Sequence, residues 1–389
     1  FIGIIISNTK RALMIKFLFI FLSIITLSIK TNANTFFGVD KNDYSSVERA
    51  FKTGTPPLFQ YKGNKFCKGG TLYMPPYDKF NKSKKSHTSG KLKSWFFALS
   101  FGHAISSYLE GEYHSDLVHL KEDFINEYIP YLVKAAENKY FTVNKWTKGG
   151  SSVAYSQYMI LINLSVFMDF MDNKNLWKTE QREKIVEWGD ILYERSHYNH
   201  YANGGRKQHH RWPDTVSKAA AAYMLWGFVN KDLKKFKNGY RDLMQEYKKI
   251  PADGKYHQHF KGPYAGEIMD SWDLYLENKT LGDLVIASYV GELVGMKTFT
   301  KSNKKGGSIK KAIDYLGEIS SNPNELKGQD ERHLNNMRAD GNSWMTVYRK
   351  LDKTDNNPLV NLHLKTSEAK GYGFSQILNF SRCIDNELK

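Results

Sequence analysis

The chain has 389 residues, 41% of them hydrophobic and 14% aromatic, which is enough apolar material for a large core and too much for a disordered or fibrous chain. Its formal net charge of +16 points to polyanionic partners such as acidic polysaccharide, anionic lipid or wall polymer. The two cysteines, Cys67 and Cys383, lie near opposite ends. They exclude a disulfide framework and a metal-ligand spacing, and leave one disulfide open.

In chain order, the first recognisable element is "MIKFLFIFLSIITLSIKTNAN" from Met14. A lysine is followed by an apolar run from Phe17 to Ile29 and a small-residue end at Ala33. That is the anatomy of a secretory signal peptide, and the run is short for a spanning helix. The reading is a signal peptide over 1–33, with residues 1–13 an over-extended start before Met14, and one mature domain over 34–389. Export to the periplasm or the medium is expected, with no stable membrane insertion after cleavage and no nucleic-acid partner. Removing residues 1–33, whose charged side chains are Lys10, Arg11, Lys16 and Lys30, leaves +12 of the +16.

Beyond residue 92 the pattern is helical almost throughout. Apolar residues recur at three- and four-residue intervals in segments 92–109, 120–138, 152–171, 179–196, 213–229, 232–250, 279–295 and 308–322. Short breaks such as "NKD" at 230–232 predict antiparallel neighbours, and so an all-α ring or solenoid of helical hairpins. Two stretches resist this pattern: the segment through "KGGTLYMPPYDKFNKSKKSHTSGK" and "PADGKYHQHFKGPYAGE" at 251–267. Long loops on a rigid scaffold are where binding and chemistry concentrate. "SNKKGG" at 302–307 reads only as a linker turn.

"RKQHHRWPDTVSKAAAAY" crowds Arg206, Lys207, His209, His210 and Arg211 just before Pro213, a residue suited to a helix's first turn. Basic side chains and free helix-end amides together make a good anion site. The next loop, with the start of the helix after it, supplies Tyr256, His257, His259, Lys261, Tyr264, Glu267 and Tyr275. Tyr and His can take and return a proton, while Gln, Arg or His⁺ quenches a carboxylate. Those abilities fit β-elimination in a uronic-acid chain, where the proton at C5 becomes acidic once the neighbouring carboxylate is masked. No metal and no cofactor is called for.

At these residues the sequence resembles the alginate lyases of the helical-toroid type, which act on polymannuronate. "QHHRW" resembles the family's NNHxxW motif, with Gln208 at the Asn position, His209 at the His position and Trp212 at the Trp. "ADGKYHQHF" resembles the entry to the family's downstream loop, and "SWDLY" places Tyr275 close to the family's tyrosine. "GGTLYMPPYDKF" resembles its N-terminal lid segment, with Tyr73 or Tyr77 over the cleft, and "RADGNSWMTVY" its C-terminal tryptophan motif.

The resemblance implies an incomplete (α/α) toroid of antiparallel helical hairpins with an irregular N-terminal lid. It also implies a lyase acting on an acidic polysaccharide. Gln208 and His209 would then serve in catalysis with Tyr275 or Tyr264, while Arg206, His210, Arg211, Trp212, Tyr256, His257, His259, Lys261, Tyr73 and Tyr77 would bind substrate. One departure concerns the family's loop arginine: no arginine occurs between Arg241 and Arg332, leaving Lys261, Arg206 or Arg211 for that role. Two other readings fit the residues. A glycoside hydrolase on a helical toroid would use Glu267, Asp270 or Asp273, and a non-catalytic protein would only bind the polymer.

Overall fold

The computed structural model describes residues 43–65, 67, 69–75, 87–142, 153–201, 213–256, 271–322, 344–353, 357–360 and 383; at 87–93, 95, 199–201 and 271–273 it describes backbone alone. Residues 45–389 form one compact unit and residues 1–44 another.

The larger unit is helical, and its described residues contain one isolated bridge, Pro251 with Gly306, and no strand. Its helices are α1 (Ser45–Thr53), α2 (His87–Tyr113), α3 (His119–Asp123), α4 (Ile129–Glu137), α5 (Val153–Lys174) and α6 (Thr179–Tyr201). There follow α7 (Pro213–Val229), α8 (Leu233–Tyr247), α9 (Ser271–Leu293), α10 (Ile309–Ser321) and α11 (Met345–Leu351). All eight segments with helical spacing are therefore helical. Helix α1 is an addition that the sequence pattern hid, because a nine-residue helix that buries only Val47 carries little periodicity.

Helices α2, α5, α7 and α9 form an inner row in which each packs on the next. Helix α6 backs α5, α8 backs α7, and α10 backs α9, so consecutive hairpins build two layers. The inner helices are apolar around most of their circumference, as helices enclosed on several sides must be. Helix α7 shows why: Ala219, Ala220, Ala221 and Ala222 are all at 0% exposure, and their small side chains let α5, α8 and α9 approach together. Gly239 of α8 completes that fit, since a Cβ there would stand 2.7 Å from the Ala220 carbonyl oxygen. The connection between α7 and α8 is short because Lys231 adopts φ 53° and Asp232 then caps α8, accepting from the Lys235 amide at 3.1 Å.

The segment ahead of α2 is irregular but well held. Asp169 of α5 accepts from the Leu58 amide and the Tyr61 hydroxyl, both at 2.8 Å. Glu110 of α2 accepts from the amides of Gly69 and Gly70, both at 2.7 Å, and the Tyr131 hydroxyl donates to the Pro75 carbonyl at 2.7 Å. Cys67 and Cys383 are joined by a disulfide across 316 positions of sequence.

Candidate active site

The chemistry-bearing cluster is built from the first turn of α5, the second turn of α7 and the stretch of α9 from Tyr275 to Asp283. Two buried charges hold it together: Lys218 Nζ of α7 sits 3.0 Å from Asp283 Oδ1 of α9, with side-chain exposures of 1% and 0%. Ser217 Oγ donates to the other Asp283 oxygen at 3.4 Å. Such a pair forms because an isolated buried charge costs several kcal/mol, roughly, whereas mutual attraction offsets much of that cost. Burial raises the Asp283 pKa, opposed by Lys218 and Lys279.

Above this pair stand two tyrosines and a second lysine. Lys279 Nζ lies 5.0 Å from the Tyr275 ring centre and 5.6 Å from that of Tyr155, and Lys218 Nζ lies 5.3 Å from Tyr155. Tyr275 and Lys279 are one helical turn apart on α9, so their side chains share a face. Tyr155 is buried, whereas Tyr275 and Lys279 are only partly so. Desolvation lowers the Lys279 pKa, opposed by the charges of Asp214 and Asp283. Desolvation also raises Tyr155 well above an ordinary phenol, with Asp214 and Asp283 adding to it. Tyr275 and Lys279 thus offer a phenol and a cation to an incoming group, over a base of fixed charges.

The C-terminal motif supports the same helix. Trp344 is buried, its indole N–H donates to Asn278 Oδ1 at 3.2 Å, and its ring covers Gly282. It therefore packs on α9 beside the turn that carries Tyr275 and Lys279.

Of the residues singled out by sequence, Tyr275 is in the cluster. Tyr73 is 42% exposed and lies edge-on to Phe96, ring centres 6.4 Å apart. Tyr256 is placed differently from the expectation of a substrate contact. It is at 0% exposure, its hydroxyl donates to Glu246 Oε2 at 2.5 Å, and burial with the Glu246 charge pushes its pKa well above an ordinary phenol. Its hydroxyl is thus engaged by Glu246 in the interior. Arg206, Gln208, His209, His210, Arg211, Trp212, Tyr77, His257, His259, Lys261, Tyr264, Glu267 and Asp270 lie outside the described residues, as does the side chain of Asp273.

Sequence reasoning missed Lys218, Lys279 and Asp283. A signal was present, because each is a charge inside an otherwise apolar helical run, and charges in such positions are paired or functional. Among the described residues no cluster of His, Cys, Asp or Glu could hold a metal ion.

No protein-family model matches the chain, and no curated protein matches it in sequence. Solved structures do match. Alginate lyase A1-III from Sphingomonas species A1 is similar with a TM-score of 0.53 at 13% identity, covering 82% of this chain and 88% of that one. The fold is that of the alginate lyases. A tyrosine-to-phenylalanine variant of A1-III complexed with tetrasaccharide matches with a TM-score of 0.52 at 14% identity, over 84% of this chain and 87% of that one. An alginate lyase from Bacteroides ovatus matches with a TM-score of 0.51 at 11% identity, over 75% of this chain and 74% of that one. The chain is thus all-α, an incomplete toroid of antiparallel helical hairpins, as the resemblance implied.

Proposed function

We propose that this chain is a polysaccharide lyase that cleaves a uronate-containing polymer, with alginate or polymannuronate as first substrate, by β-elimination. The observation that carries the reading is the 3.0 Å ion pair between Lys218 and Asp283. It joins the second turn of α7 to the middle of α9, the helix that carries Tyr275 and Lys279, and both helices follow segments bearing Gln208, His209 and Tyr264. Partners in one proton transfer must converge on one sugar, and the packing of α7 on α9 is an arrangement that such convergence can use. The similarity in fold to alginate lyases, one of them complexed with tetrasaccharide, supports the substrate class.

In this reading the sugar carboxylate is quenched by Gln208 and His209, with Lys279 supplying the cation that the absent loop arginine would otherwise provide. Tyr275, as phenolate, takes the C5 proton. The electron pair released forms the C4=C5 double bond, the C4–O4 bond breaks, and the phenol returns its proton to O4. Lys279, 5.0 Å from the ring, stabilises the phenolate by opposite charge. Tyr264 is the alternative base. Export is part of the same reading, supported by the Met14–Ala33 anatomy and by a disulfide, which persists in oxidising compartments. Among the described residues no helix is long and apolar enough to cross a membrane.

Incubation with alginate, polymannuronate or polyglucuronate should generate unsaturated ends that absorb in the ultraviolet, and Tyr275→Phe should slow their appearance by about 10²–10⁴-fold with polymer binding retained. Saturated reducing ends would identify a hydrolase instead, and binding without product a polysaccharide-binding protein.

A further inference from the structure

From Leu293 to Ile313 the chain carries six lysines and no acid. The turn at its centre, "SNKKGG", is held with unusual firmness for a surface connector. Asn303 Oδ1 accepts from the amides of Lys305 at 2.8 Å and Gly307 at 3.1 Å, while its Nδ2 donates to the carbonyls of Tyr247 at 2.7 Å and Ile250 at 2.8 Å. One side chain therefore closes its own turn and staples it to the turn after α8. The two turns also meet through the Pro251–Gly306 bridge, and Gly307 is needed there because a Cβ would fall 2.1 Å from the Ile250 carbonyl oxygen.

The facing turn adds Lys248 and Lys255, both exposed, as are Lys301, Lys304 and Lys305. Lys255 has a loose partner in Asp253 at 3.9 Å. Lys248, Lys301, Lys304 and Lys305 have no ionic partner among the described residues. Exposed like charges held close on a rigid frame repel one another, and that repulsion is relieved by a bound polyanion.

The surroundings select the kind of polyanion. Single-stranded nucleic acids are held largely by stacking on exposed aromatic side chains, but the aromatic residues of these turns, Tyr247, Tyr256 and Phe299, are all buried. Stable lipid anchoring adds apolar side chains to basic charge, and the exposed side chains here are lysines, Ala252, Asp253, Ser302 and the neighbouring Thr300. Lysine rather than arginine suits well-hydrated carboxylates spaced along a flexible polymer.

We infer that the double turn formed by residues 248–255 and 301–305 is an accessory docking surface for an acidic polysaccharide chain, separate from the Tyr275–Lys279 cluster. The polymer's identity rests on the proposed function; the surface itself does not.

Affinity electrophoresis through gels containing alginate tests it, because retardation needs no turnover. Lys301→Glu/Lys304→Glu/Lys305→Glu should bind polymer roughly tenfold more weakly than the parent. A variant of equal net charge, Lys62→Glu/Lys178→Glu/Lys231→Glu, should stay within about twofold, and both should cleave a short uronate oligomer at the parental rate. Triple Lys→Gln at 301, 304 and 305 should show an intermediate loss, and matching thermal melts establish that all variants are folded. Equal retardation of the parent and the Lys301→Glu/Lys304→Glu/Lys305→Glu variant would overturn the inference, as would equal loss in the two Glu variants. Loss confined to DNA or anionic vesicles would overturn it too. A parent that gives no unsaturated product but loses retardation through the substitutions at 301, 304 and 305 refutes the lyase reading alone and supports the docking surface.

Discussion

Two carboxylates of the inner helices are treated in opposite ways. Asp283 is buried against Lys218, so its charge has a partner and contributes to a fixed field beneath Tyr275 and Lys279. Asp169 is met by neutral donors, the Leu58 and Phe59 amides and the Tyr61 hydroxyl, and burial raises its pKa to about 7 in spite of them. Burial raises both carboxyls, and the difference lies in what opposes it: a neighbouring cation at Asp283, neutral donors at Asp169. The first arrangement suits a site, the second a clamp on the N-terminal segment.

The comparison breaks most visibly at Lys218. Lys218→Met leaves Asp283 buried beside a lost partner and should cost about 3–5 kcal/mol in urea unfolding, while Lys218→Met/Asp283→Leu should recover most of that loss. If the single variant is as stable as the parent, the pair does not hold α7 to α9. Next in size is Lys279→Met, expected to lower kcat/KM on polymer by roughly 10²-fold, about 2.7 kcal/mol. Because the Lys279 pKa is lowered from 10.5 by desolvation, an anionic substrate that favours the charged form should bind best below that depressed pKa. Affinity should then fall as pH rises through it, and this alkaline limb should vanish in Lys279→Met.

The smallest effect is at Asp169. Its folded pKa of about 7 lies above the ordinary 3.8, so the native state binds more protons than the unfolded chain between those values. Stability from this group is full below about pH 4 and is lost as pH rises towards 7. Asp169→Asn should flatten that slope by on the order of 1–2 kcal/mol, read from melts at pH 5.5 and 7.0. An unchanged slope would show that Asp169 does not titrate in this window.

Much of this architecture was legible in the letters. The hairpin order follows from periodicity and short breaks, and Pro213 marks the start of α7 as its missing amide predicts. The run "LKEDFINEYIPYLVKAAEN" reads as a single helix, but the structure inserts a π-turn at Phe124–Tyr128. Pro130 clashes with the carbonyl four residues back, that of Asn126, and the wider turn accommodates it. Helix α11 was recognised only as a tryptophan motif, because seven residues are too few to show a repeat.

The site was half legible. Loop chemistry and Tyr275 stood out as clustered polar residues. Lys218 and Lys279 were absorbed into apolar runs, since a helical pattern records which face is buried and not whether a charge on it has found a partner. Tyr256 was misleading for the converse reason: it sits among polar letters, but its ring is drawn inward by Glu246.

The Cys67–Cys383 bond has one more consequence. It turns most of the polypeptide into a covalent loop, so a protease that cuts once anywhere between these cysteines releases no fragment. The nicked molecule keeps every helix tethered and can re-form its packing, whereas a reduced molecule given the same cut separates into two pieces that must find each other by diffusion.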